Sequence, residues 1–475
     1  MSRIWGMMDI GKRSMMNSQT ALQTVSHNVA NKNTEGYSRQ RVDVQTTEPT
    51  GTGKLRIGNG ARANSVTRTN NEFVEKQVEK EGNVLGNKTG RADMLMRVEQ
   101  VFNEQMNKGL NKFMGEFFNA FREMSNSPEN LALRNLVKES ADFLTKDFQR
   151  INSQLDKIQG EADFQITTEV SQINAMTREI AQLNDKIKSV EMNALQANDE
   201  RDRRELLIKQ LSEKMNIKYG ESDDGVLTIT AGNSGILVSG SQQRDLIAAA
   251  GPVRPGKKDG QIEVYYKPNE NGTPVNITQQ ITGGKLGGLI EIRDGFINKT
   301  ISDMDEMAYT LAQEVNKAHM SGYDRYNNKG QAFFDVGGSK VGASSNIKVS
   351  DRIQQNAGFV VSAAQPNSPG DNRIANLISS LQYAQPLAKG ESTFDDFYGN
   401  IVGNVGIAAN RANSELEAQK GIVEQIKNIR ESISGVSLDE ETTKMIEFQK
   451  TYDASARLIK TADEMMDTVL SLKRM

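Results

Sequence analysis

The sequence predicts an elongated, mainly α, multi-domain chain with a β-rich insert, in which the N- and C-terminal helices pair as a coiled coil. Apolar residues recur at steps of four and three through both ends and the middle of the chain, the spacing of a helix face that seeks a partner. One such run, Leu131 to Val190, would extend about 90 Å at 1.5 Å per residue. Between Ile217 and Gly283 that spacing gives way to Gly, Pro and Thr around short alternating runs, as in strands and turns. The 475 residues are long enough for more than one domain.

The elements follow in order. Ile4, Met8, Gly11, Met15, Ser18, Leu22, Val25 and Val29 form one helical seam, which stops at Asn31-Lys32-Asn33-Thr34-Glu35-Gly36, where Asn and Gly favour turns. From Tyr37 the period is two. Val42, Val44, Leu55, Ile57 and Val66 lie in short runs broken by Pro and Gly, which predicts a small extended region. Residues 72–124 read as helix, ending in Phe113, Met114, Phe117, Phe118 and Phe121 before Ser125-Asn126-Ser127-Pro128. In the long run, Leu144, Phe148, Ile151, Leu155, Ile158 and Ala162 are followed after one stutter by Ile166, Ile173, Ile180 and Ile187.

In the insert, Asp224-Gly225 is set as a hairpin turn, with strands at 226–230, 236–238 and 262–266. Helical spacing returns from Ile290 to Val315 and ends at His319; residues 323–375 read as loops and short strands. A helix follows Ser392-Thr393 and breaks at Ser434-Gly435. Ser437 and Glu440 open the last helix, where Leu438, Met445, Tyr452, Ile459 and Met466 recur every seven, with Phe448, Ser455, Ala462 and Val469 three further on. Asp439, Glu440 and Glu441 at its start and Lys473-Arg474 at its end complement the helix dipole. The expected domains are a terminal pair (1–36 and 435–475), a mainly helical body with short β elements (37–215 and 284–434) and an outer β domain (216–283).

Chemistry is sparse. A formal charge of −3 leaves no basic surplus for nucleic acid, and without Cys there is no disulfide, zinc-thiolate site or thiol nucleophile. No apolar stretch of about 18 residues could span a bilayer, and Met1 to Ser14 lacks a signal-type apolar core, so a soluble, unprocessed chain is expected. His27 has no second His or carboxylate one turn away and reads as a surface or interface residue; His319, in a last helical turn, reads as a cap. Gly283-Gly284-Lys285-Leu286-Gly287-Gly288 lacks phosphate-loop spacing and reads as flexible re-entry from the insert. Asp324, Tyr326 and Asn328 loosely match a calcium loop, but Lys329 stands where Gly is needed and Asp335 where a bidentate Glu is needed. No catalytic, metal or cofactor-binding residue is therefore assigned, and no enzyme activity is expected. Small Ser455 and Ala462 between Tyr452, Ile459 and Met466 leave room for a neighbouring helix, while soft Met8, Met15, Met445 and Met466 suit adaptable packing. Neither seam has another apolar helix beside it in sequence, so both ends are expected to be marginal before assembly.

Ser14-Met15-Met16-Asn17, the run Val25-Ser26-His27-Asn28-Val29-Ala30-Asn31-Lys32-Asn33-Thr34-Glu35-Gly36-Tyr37-Ser38-Arg39-Gln40, Gly435 to Glu441, and Phe448-Gln449-Lys450-Thr451-Tyr452-Asp453-Ala454-Ser455-Ala456-Arg457 resemble the bacterial flagellar rod, hook and junction axial family. The resemblance is weak through 217–283 and 323–375. It implies a secreted, self-assembling structural part of the extracellular flagellum, needed for motility and exported by the flagellar type III apparatus without a cleaved signal. It further implies a ring between hook and filament, with copies of itself, hook protein, a second junction protein and filament flagellin as partners, and an export chaperone at the C-terminal helix. The assembly interface expected is Met8, Met15, Leu22, Val25, Val29, Asn31, Thr34, Gly36, Tyr37, Leu438, Met445, Phe448, Tyr452, Ser455, Ile459, Ala462 and Met466. Another axial component, such as hook or rod protein, and an exported enzyme with a site in the insert stay open as alternatives.

Overall fold

The computed structural model describes residues 2–49, 58–103, 109–193, 195–222, 225–232, 235–252, 260–269 and 272–472. Helix α1 (Ser2–Ala30) leads through the turn at 31–36 into the antiparallel hairpin β1 (Gln40–Thr46) and β2 (Ala61–Arg68), where Val42 pairs with Val66. Leu55 and Ile57 lie outside the described residues. The region expected to be one helix over 72–124 is two, α2 (Glu72–Val101) and α3 (Leu110–Asn126). The backbone N–H of Phe102 closes α2 on the Glu99 carbonyl, and Gly109 precedes α3 in extended conformation. The interruption lets α3 fold back along α4 (Leu131–Glu191), so that Phe117, Phe118 and Phe121 meet in one buried cluster. Asn130 caps α4 by accepting from the Ala132 N–H. The predicted seam then runs buried from Leu144 to Ile187, and α5 (Asn198–Lys214) returns along its end.

The next segment forms two small antiparallel sheets. One is β3 (Ile217–Glu221), β4 (Leu227–Ala231), β5 (Gly235–Ser239) and β6 (Gln242–Gln243); the other is β7 (Leu246–Ala250), β8 (Ile262–Tyr266) and β9 (Val275–Asn276). Gly225 sits at φ +73 between β3 and β4, as a tight turn requires, while Asp224 lies outside the described residues. Both sheets lie against α4 and share its core through Leu227, Ile229, Val238, Leu246 and Val264. Asn174 and Asn184 on α4 hydrogen-bond the strand backbone at Leu246, and at Leu227 and Gly240.

The chain re-enters the body as α6 (Gly284–Glu291), a π turn (Ile292–Ile297) and α7 (Asn298–Ser321). The expected flexible re-entry is corrected here, because these glycines are close-packed. A Cβ on Gly284 would lie 2.3 Å from the Lys214 carbonyl carbon, and one on Gly288 2.3 Å from the Asn87 carbonyl oxygen. From the other side, a Cβ on Gly86 would fall 1.9 Å from the Glu213 carbonyl oxygen. The glycines thus let α2, α5 and α6 touch backbone to backbone. Short elements follow: β10 (Phe334–Asp335), α8 (Ala343–Asn346), β11 (Lys348–Val349), α9 (Asp351–Gln355) and α10 (Arg373–Ser380). Then α11 (Phe394–Ser434), capped by Thr393, packs along α2, and α12 (Leu438–Leu472) returns to α1. Lys473 and Arg474 lie outside the described residues.

Candidate assembly interface

The terminal helices find each other. Ser14 Oγ lies 2.7 Å from Ser455 Oγ, Asn28 Nδ2 donates to Glu441 Oε2 at 2.9 Å, and a Cβ on Gly11 would meet Ile459 Cγ1 at 2.7 Å. Residue 11 therefore faces 459, 14 faces 455 and 28 faces 441, an antiparallel register that holds to within one residue. Small side chains set the close approach: Gly11, Ser455 and Ala462 are buried. Ser455 and Ala462 thus receive α1 of the same chain, which answers the sequence's search for a neighbouring helix.

Val25 is buried in this pair, and Met8, Met15, Leu22, Val29, Met445, Phe448, Ile459 and Met466 are half-buried. Leu438 and Tyr452 are not brought into it; they are 39% and 36% exposed. They share the seven-residue repeat with Met445, Ile459 and Met466 but lie at the edge of the face that α1 covers. They flank the seam on one side, and Leu458, Met465 and Val469 are exposed on its other side, while Trp5, Met7 and Met16 are exposed on α1. Monomeric proteins seldom leave so many large apolar side chains exposed along one helix pair. A groove of about 430 Å³ between α1, β1 and α12 is lined by Ala21, Val25, Val42, Val44 and Phe448 among others.

The turn after α1 ties this pair to the body. Asn31 Nδ2 donates back to the His27 carbonyl, and Thr34 Oγ1, exposed, donates to Asn31 Oδ1. Gly36 takes φ +82, a left-handed conformation costly for other residues, and a Cβ there would press on Leu206 at 3.0 Å. Asn28, almost fully buried, uses all four of its hydrogen-bonding positions. Its amide donates to the Gln40 carbonyl and Glu441, and its oxygen accepts from the Tyr37 hydroxyl and the Gln40 N–H. Burial, and then the carboxylates of Asp199, Asp202 and Glu441, push the Tyr37 phenol well above its ordinary range, so it remains a donor.

Around this turn lie charged residues that the motif reading missed. Asp202 Oδ2 accepts from the Ser38 N–H at 2.9 Å, and its other oxygen accepts from Arg68 at 2.7 Å. Burial still raises the Asp202 carboxyl above the usual range. Arg39 joins Glu441 at 2.8 Å, and its own N–H bonds the Ser434 carbonyl. Arg430 on α11 bonds Glu75 on α2 at 3.0 Å and the carbonyls of Gly36 and Tyr37 at 3.4 Å. His27 is half-buried at the contact with α5: Asp199, supplied from far along the chain, lies 3.5 Å from its Nε2, and Tyr37 lies 3.0 Å from its Nδ1. The charge-rich run Asn198 to Glu205 was the available sequence signal, but nothing local linked it to residue 37.

His319 is also corrected. Its buried ring bridges the Gln331 carbonyl at 2.6 Å and accepts from the Val361 N–H at 3.0 Å; burial depresses its pKa to about 4, so it ties loops together as a neutral group instead of capping with charge. Asp324 accepts from the N–H groups of Tyr326 and Asn328, which makes an Asx turn. Among the described residues, no cluster of three or more His, Asp or Glu could hold a metal, and no helix is long and apolar enough to cross a membrane.

A helical body bears an antiparallel pair of its own termini, tied to it by the turn from Asn31 to Tyr37, and it is this pair that flagellar axial families match. The model of the flagellar hook-associated protein FlgK helical domain matches residues 95–334, about half of the chain, and the chain belongs to that family. The flagella basal body rod protein family matches residues 8–37, and the flagellar basal body rod FlgEFG protein C-terminal family matches 431–472, the two helices of the pair. The chain is similar to flagellar hook-associated protein 1 of Bacillus subtilis, 29% identical, over 98% of this chain and 97% of that one. The Salmonella typhimurium protein of the same name is 25% identical over 96% and 98%. The solved flagellar hook junction protein FlgK from Burkholderia pseudomallei has the same fold, with a TM-score of 0.68 at 14% identity, covering 75% of this chain and all of that one. The protein is a non-enzymatic structural component of the flagellum that assembles with other axial components.

Proposed function

We propose that this chain forms a ring at the junction between hook and filament, built from copies that meet through the exposed side of the α1/α12 pair. The observation that carries this reading is the row Leu458, Met465 and Val469, with Leu438 and Tyr452 on the other flank of α12, all left exposed beside a seam already filled by α1. Met8, Met15, Leu22, Val25, Val29, Met445, Phe448, Ser455, Ile459, Ala462 and Met466 hold the pair together, and Asn31, Thr34, Gly36 and Tyr37 aim it from the body. Hook protein lies on one side of the ring, and a second junction protein followed by flagellin on the other. Before assembly an export chaperone covers the exposed row on α12. Residues 1–36 and 435–475 act as one domain, 37–215 and 284–434 as the body, and 216–283 as an outer β domain whose ends adjoin at Met215 and Gly284.

Gold labelling of an epitope-tagged chain on intact flagella tests the location. A single narrow band between hook and filament is expected, whereas label along the whole hook or below it would assign the chain to another axial position.

A further inference from the structure

We infer that neighbouring copies also meet through their bodies, by insertion of Phe164 on the outer face of α4 into a groove beside the π turn of the next copy. This deepens the ring reading and rests on it. Phe164 is 72% exposed and points directly away from the seam residues Ala162, Ile166 and Ile173, all fully buried. It stands alone on a face of small or polar neighbours, Ser153, Gly160, Thr167 and Ser171, all exposed. An isolated helix gains nothing from such a phenylalanine, and the small residues around it allow a second surface to come close.

The matching feature lies across the body. A groove of about 720 Å³ opens between α2, the π turn, α7 and α11, and its apolar lining includes Ile292, Phe296, Ile401, Ile407 and Ala408. Ile407 is 69% exposed at its rim. The π turn widens the helix at this point, and Gly295 adds no side chain to fill the space. Helices α2 and α7 pack against both α4 and α11, so knob and groove lie on different sides of one body. Contacts between two different patches are head-to-tail and generate rings when the rotation closes.

Charge fixes the orientation. Lys157 is exposed two turns before Phe164, and Asp303 is half-buried two turns after Phe296. Among the described residues neither makes an ion pair. Burial outweighs the nearby Lys299 and raises the Asp303 carboxyl above its usual range, so an approaching ammonium would be welcome there. With Phe164 against Phe296, the equal spacing brings Lys157 to Asp303.

The chain has no Cys, so introduced pairs are unambiguous. The Phe164→Cys/Ile407→Cys chain is added to isolated hook fragments and treated with a short bis-maleimide. A ladder of covalent multimers, absent from either single variant, supports the proposal; efficient incorporation with monomer alone overturns it. Wild-type chain that fails to add to hooks would instead sink the ring reading itself. If wild type adds and the double variant does not, the charge pair decides. Lys157→Glu should slow addition at least tenfold, and Asp303→Lys in the same chain should restore it; equal rates in all three chains overturn the proposal.

Discussion

Replacing Asn28 by alanine removes a side chain that bonds Gln40 twice, Tyr37 once and Glu441 once in a buried site. The Tyr37 hydroxyl keeps His27, and Glu441 keeps Arg39, so those two partners lose only part of their coordination. The N–H and C=O of Gln40 lose their partner outright. A net loss of about 0.5–1.5 kcal/mol for each neutral bond, more for the bond to the carboxylate, and a further cost for orphaned groups add to about 3–5 kcal/mol. The loss should fall on the α1/α12 pair and the hairpin, because the body has its own core around α4. Trp5 is the single tryptophan and sits on α1, so its fluorescence anisotropy reports the pair while far-UV circular dichroism is dominated by the body. At a urea dependence of about 1–2 kcal/mol/M for a unit of this size, the Trp5 transition should move down by at least about 1.5 M and the dichroism midpoint should barely change. A Trp5 transition unmoved by Asn28→Ala, or one that shifts in step with the body, would refute the idea that this residue locks the termini to the body.

Gly86→Ala should be severe, since its Cβ would fall 1.9 Å from the Glu213 carbonyl oxygen; separation of α2 from α5 and α6 should cost at least about 3 kcal/mol, read as a lowered thermal midpoint. Ser455→Leu with Ala462→Leu should part α12 from α1 within the free chain, at about 1–3 kcal/mol per site, so Trp5 anisotropy should fall before any assembly is attempted. Glu79, buried and bonded on both oxygens by the Tyr219 hydroxyl, has its pKa raised by burial to about 7 from 4.5. The unfolded chain releases this proton first, so stability falls as pH rises from 4.5 through 7, by up to about 3 kcal/mol. His319, depressed to about 4, acts in the opposite sense, losing stability as pH falls from 6.5 towards 4. Glu79→Gln should therefore be more stable than wild type at pH 8 and not at pH 4; urea midpoints that differ equally at both would contradict this.

The helical architecture was legible because burial repeats with a helix's own period. The limits of α4 and α11 follow from Asn130, Thr393 and Gly435 at their ends. The break between α2 and α3 was not legible, since apolar residues at helical spacing stand on both sides of it and the fold-back is set by the packing of α3 against α4. Glycines at 284 and 288 read locally as flexibility, yet their role is set by distant backbone, at Lys214 and Met215 for the first and at Asn87 in α2 for the second. The terminal seams were visible, but the register that pairs residue 14 with 455 depends on distant positions, so the seven-residue repeat did not separate Leu438 and Tyr452, left exposed, from the residues that α1 covers. For the same reason Asp199, Asp202 and Arg430, each far in sequence from the turn at 31–37, had no local mark of their place around it.

Hydrogen exchange on the free chain and on the chain assembled onto hook fragments tests the central claim most directly, since it follows each helix separately. Amides of α1 and α12 should exchange far faster than those of α4 in the free chain, because the pair is narrow and half-exposed. On assembly they should slow by at least a hundredfold, most strongly around Leu458 to Leu470. Exchange in α12 that is unchanged by assembly would contradict the claim that the exposed side of the terminal pair is where copies of this protein meet.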